Sequence, residues 1–214
     1  MYSSLRVVAG PAKEAVSLED ARRHLRVDHT EDDDLIKAWV AAARTLVEAW
    51  SGRSLITQTL LWTMSQDPPS GALPLLPMPL VVLPVILSAP QVMNRPLELP
   101  RAPVQAVQSV SQADLDGAVT VVSLTDYVVD LAIEPARLRL CWSTVPRWLQ
   151  HIQVQFTTGY GDTPAAVPAP LIAAVKLLIG HLYENRGDTA DLAGAPPRAI
   201  DYLLTPYKVG FFGG

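Results

Sequence analysis

The sequence predicts an α+β fold, with a helical layer from the N- and C-terminal helices and a small, mostly antiparallel β-sheet from the middle of the chain. Three observations carry the prediction. Residues 17–52 contain capped segments whose apolar side chains recur with a helical period. Residues 168–187 contain another, opened by Pro168 and Pro170. Before it, Ile152, Val154 and Phe156 alternate with Gln153, Gln155 and Thr157, as in a strand buried on one face.

The elements follow in order. Ser17 has the chemistry of a helix N-cap, with Asp20 three residues on, and Leu18, Ala21 and Leu25 form a short one-sided stripe. A second helix begins near Thr30. Its stripe is Leu35, Ile36, Trp39, Val40, Ala43, Leu46, Val47 and Trp50, and Gly52 stops it. Trp39, Leu46 and Trp50 are expected against the third helix. Leu55–Met64, rich in Thr, Leu and Ile, reads as a strand.

Further short strands are expected at Val104–Val110, Ala118–Val122, Tyr127–Leu131 and Arg137–Trp142, with Asp116-Gly117 turning between the first two. Gly159-Tyr160-Gly161-Asp162 then forces a tight change of direction. Leu171, Val175, Leu178 and Leu182 line the buried face of the third helix, which Asn185-Arg186-Gly187 ends. Asp188–Pro197 reads as a polar linker and Arg198–Leu204 as a last short helix stopped by Pro206. The chain thus divides into a body, 1–187, with a Pro-rich apolar insertion at 68–94, and a linker with a C-terminal docking segment, 188–214.

Composition narrows the function classes. A chain of 214 residues, 49% hydrophobic and 18% charged, can bury a substantial core beneath a lightly charged surface. A net charge of −4 argues against a protein that lives on phosphate contacts, whose affinity comes from Lys and Arg. Cys141 is the sole cysteine, so neither an intrachain disulfide nor a thiolate metal cluster is expected. MYSSLRVVAG has no apolar signal-peptide core. Pro68–Asn94 is uncharged but holds seven prolines. They remove backbone donors and break a helix, so no membrane span is expected there, where the backbone must bond internally.

No converging acid, base or metal constellation emerges, so no enzyme activity, catalytic residue, cofactor or metal is predicted. The acidic run Asp28, Glu31, Asp32, Asp33 and Asp34 could hold Mg²⁺, but carboxylates at a helix N-terminus serve its unpaired N–H groups. His24, His29, His151 and His181 form no zinc or triad pattern. Gly159-Tyr-Gly161-Asp-Thr-Pro164 lacks the third glycine of a dinucleotide loop. Arg22, Arg23 and Arg26 make a basic helix face, read as solvated.

Two apolar segments carry more weight, because uncovered apolar surface marks interfaces. In the insertion, Leu76, Met78, Leu80, Val82, Val85 and Ile86 are candidates for a subunit contact. At the C-terminus, Ile200, Tyr202, Leu203, Leu204, Tyr207, Phe211 and Phe212 sit beyond a linker that gives them reach, and are candidates for a partner contact.

The capped unit Ser17–Leu55, running into a strand through Gly-Arg, and the unit Val154–Gly187, leaving a strand through Gly-Tyr-Gly, occur in an order and spacing that resemble the head–tail connector (adaptor) proteins of long-tailed bacteriophages and gene-transfer particles. The resemblance implies a structural virion protein at the head–tail interface, assembled in the bacterial host cytoplasm. It implies a ring of twelve copies between the portal protein and the tail or the next connector, with a channel for DNA that is not specifically bound. It also implies that the C-terminal segment docks on the portal. The alternatives are a stopper or tail-completion protein of the same particle, a Mg²⁺-dependent nuclease using residues 28–34, or a free bacterial interaction module. The long apolar insertion departs from the family pattern.

Overall fold

The computed structural model describes residues 2–65, 96–113, 118–141, 151–185 and 196–210. An N-terminal strand β1 (Tyr2–Ala9) precedes helices α1 (Leu18–Leu25) and α2 (Asp33–Ser51). Ser17 caps α1: its Oγ accepts from the Asp20 N–H at 3.1 Å and donates to the Asp20 carboxylate. Gly52 ends α2 at φ 70°, where its N–H bonds the Glu48 carbonyl. Helix α3 (Ala169–Glu184) starts after Pro168, and α4 (Arg198–Leu204) follows later.

The helices share one core. Ile36, Val40, Ala43 and Val47 of α2 cluster with Leu171, Ala174, Val175, Leu178 and Ile179 of α3. Trp39, Leu46 and Trp50 pack half-buried against this cluster, and the Trp39 ring meets Tyr183 of α3 edge-on at 5.5 Å. Leu35 departs from the expected stripe and is 41% exposed. It lies about 100° around the helix from Ile36, off the row that faces α3.

The strands make two antiparallel sheets among the described residues. They are β2 (Gln58–Ser65), β3 (Leu97–Glu98), β4 (Val104–Ala113), β5 (Val119–Val121), β6 (Tyr127–Asp130), β7 (Arg137–Leu140) and β8 (His151–Thr158). One sheet has the order β1-β2-β8-β4-β5 and the other β3-β7-β6. In β8 the expected alternation holds: Ile152, Val154 and Phe156 are buried. They join Leu60, Trp62 and Met64 of β2 and Tyr127, Leu138 and Leu140 of the small sheet in a second core. The other face of β8 is neutral and polar, where Gln155 donates to Gln108 and Gln108 to Thr157.

Three differences from the sequence reading have physical reasons. The strand expected from Leu55 begins at Gln58, because Leu55 and Ile56 are drawn into the helical core. β1 was not expected, because its residues 3–9 are exposed on both faces and so carry no alternation. The middle strands divide between two sheets rather than forming one. The Asp116-Gly117 turn, Trp142, Arg186-Gly187, the 68–94 insertion and most of the 188–197 linker lie outside the described residues.

Leu178→Ala is expected to cost ~2–5 kcal/mol in urea denaturation, as a fully buried leucine does. Leu35→Ala should stay within about 0.5 kcal/mol, the surface range.

Candidate docking surfaces

The two cores meet at a polar junction. Glu48, on the last turns of α2, is 5% exposed. Its carboxylate accepts from the Leu55 N–H at 2.8 Å, from Gln58 Nε2 at 3.3 Å and from Arg44 at 3.1 Å. Arg44 also donates to Glu14 at 2.8 Å. Arg101, just before β4, donates to the Glu48 carbonyl. Burial lowers the Arg101 pKa, and the Glu48 charge opposes that shift.

The Gly-Tyr-Gly turn stitches the same junction. The Gly159 N–H donates to the Pro103 carbonyl at 3.0 Å, Tyr160 to Leu55 at 3.2 Å, and Thr57 to Gly161 at 3.0 Å. Gly159 has φ 132°, and a Cβ there would lie 2.6 Å from the Ile56 carbonyl group. The loop is therefore packed against backbone and leaves no room there to cradle a phosphate.

The C-terminal segment is placed differently from expectation. Ile200 and Leu204 are 2% and 0% exposed and belong to the helical core. They face inward because their i, i+4 spacing sets them on one side of α4. The chain then runs back along the body. Arg53 Nε donates to the Tyr207 carbonyl at 2.6 Å, and the Val209 N–H donates to the Ser51 carbonyl at 3.0 Å. Arg53 also pairs with Glu134 at 2.6 Å and sits 5.9 Å over the Tyr160 ring. Burial raises the Tyr160 pKa, partly offset by Arg53. Residues 198–210 are thus anchored, not held out on a free tail. What α4 leaves outward is Tyr202, 77% exposed, beside half-buried Leu203. Phe211, Phe212 and the insertion candidates Leu76, Met78, Leu80, Val82, Val85 and Ile86 lie outside the described residues.

Several of the tempting chemical residues are occupied structurally. Asp32 accepts from the Tyr183 hydroxyl at 3.1 Å, Asp33 lies 3.5 Å from Arg22, and Asp34 accepts from Lys37 at 2.9 Å. That Asp34 hydrogen bond raises the Lys37 pKa. Arg23 pairs with Glu19 and Asp20 along α1. Arg26 adopts the left-handed conformation that ends α1. Asn185 Nδ2 lies 3.3 Å from the His181 ring at the end of α3. Among the described residues, no group of three or more His, Cys, Asp or Glu side chains is placed to hold a metal ion.

Sequence reading missed a set of exposed apolar residues on strands. Leu5, Val7 and Val8 stand out on β1, Val119 and Val121 on β5, and Leu124 and Val128 beyond it. Their only signal was composition, because short strands without alternation do not announce which face is open.

Residues 15–114 match the sequence model of the phage gp6-like head-tail connector protein family. The resemblance is to head–tail connectors. Solved structures match nearly end to end. A chain from the neck of an empty GTA particle computed with C6 symmetry is 23% identical, with TM-score 0.71, covering 99% of this chain and 98% of that one. A chain from the virion of a native gene transfer agent particle is 21% identical, with TM-score 0.72, covering 98% and 97%. One from the neck of a native GTA particle computed with C12 symmetry is 21% identical, with TM-score 0.69, covering 99% and 98%. These likenesses establish a shared fold. No curated protein matches the sequence.

Two outcomes follow from the junction and the anchored C-terminus. Glu48→Ala strands the buried Gln58 amide and the Leu55 N–H and leaves half-buried Arg44 to Glu14 alone, and is expected to cost ~3–5 kcal/mol in denaturant titration. Truncation after Gly194 removes Ile200 and Leu204 from the core. It should lower stability by ~3–6 kcal/mol, at ~1.5–3 kcal/mol for each buried side chain.

Proposed function

We propose that this chain is a structural connector of a phage or gene-transfer particle. Copies form a ring between the portal and the tail or next connector, and DNA passes through the centre. The carrying observation is the end-to-end fold likeness to neck chains, supported by the connector match over 15–114. The chemistry agrees. The net charge is −4, and weak phosphate binding lets DNA slide. Asp32, Asp33 and Asp34 of the acidic run sit at the start of α2 in a hydrogen bond or ion pair.

Within this reading the portal contact falls on the outward face of the C-terminal segment. Tyr202 and Leu203 supply it, with Tyr207 at its border and Phe211 and Phe212 following. Ile200 and Leu204 support that face from beneath. The insertion, with Leu76, Met78, Leu80, Val82, Val85 and Ile86, serves as a further subunit contact.

The test is to mix purified protein with purified portal and image the product by negative stain. Wild type should give rings stacked on the portal. Tyr202→Asp should change stability by less than about 0.5 kcal/mol yet markedly lower portal co-purification. Failure of wild type to bind portal would overturn the reading. Full binding by Tyr202→Asp would move the contact off this face.

A further inference from the structure

Among the described residues, the five-stranded sheet ends in two open edges, β1 on one side and β5 on the other. An edge presents unpaired N–H and C=O groups, and natural edges are commonly guarded by Lys, Pro or a short length. β1 is eight residues long with Arg6 as its only charge, and β5 is short but carries no charge. Leu5 and Val7 stand in register with the core residues Trp62 and Leu60, yet they are 37% and 56% exposed. Ladder bonds to β2 therefore hold β1 with little burial of its own side chains. At the opposite end, Val119 and Val121 are 59% and 70% exposed, and Leu124 extends the apolar surface.

Charge separates the possible pairings. Arg6 has no ion-pair partner among the described residues. Just after β5, Asp126 has no ion-pair partner among the described residues, whereas Asp130 of β6 faces Arg137 of β7 in the register. Two β1 strands meeting about a two-fold axis would bring Arg6 toward Arg6, an unfavourable like-charge pair. They would also leave the β5 edge open.

We propose that β1 of one copy adds to the β5 edge of the next, with Arg6 toward Asp126. The contact joins opposite ends of one sheet, so it is heterologous, the kind that builds a ring when its rotation closes. Main-chain hydrogen bonds supply its affinity, and Leu5, Val7, Val119 and Val121 its apolar contact. The inference rests on the ring reading above and names the surface that closes the ring.

The experiment uses assembled particles and a Cys141→Ser background. Val7→Cys with Val121→Cys, treated with a short bismaleimide, should give a ladder of multimers of this chain, and neither single cysteine should. Arg6→Glu should weaken self-association roughly tenfold, and adding Asp126→Lys should restore it. Wild-type rings with no ladder and no effect of Arg6→Glu would overturn the β1–β5 contact while leaving the ring reading intact. A Val7 cross-link to a different protein would likewise overturn it. Absence of wild-type rings would remove the ring reading, and this inference with it.

Discussion

The buried carboxylate of Glu48 is the constraint on which the rest of the structure depends. The helices and the sheets keep separate hydrophobic cores. Apolar packing alone would leave the angle between them loosely set. Glu48 sets it, because it sits on α2 and accepts from Leu55 and Gln58 on the way into β2. Hydrogen bonds are directional, and a buried carboxylate without its donors costs several kcal/mol. The relative placement of the two cores is therefore narrowly determined.

That placement orients everything a partner can meet. Arg53, two residues after the end of α2, reaches Tyr207 and Glu134, so the junction also anchors the C-terminal segment. Tyr202 projects from one side of the helical core, while β1 and β5 bound the sheet on two others. The polar junction between the two cores holds these surfaces at set angles to one another.

Much of the fold was legible in the sequence because local rules and tertiary packing agree there. The Ser17 cap, the Gly52 stop, the α3 stripe and the β8 alternation all stand where pattern places them. The rest failed for identifiable reasons. Glu48 occupies a helix position that reads as a solvated charge until its donors are known. β1 buries neither face, so period carries no information. Ile200 and Leu204 read as a partner surface, because nothing in seven residues says that α3 lies beneath them. The exposed aromatic residue of α4, Tyr202, is on the opposite side of the same short helix.

Native-state hydrogen exchange tests the central claim most directly. The Leu55, Thr57 and Tyr160 amides all donate at the junction. If Glu48 makes the two cores one cooperative unit, these amides exchange only through global opening, at the same free energy as the slowest amides of α3 and β8. Junction amides that exchange through a much cheaper opening, with α3 and β8 protected to different extents, would contradict it.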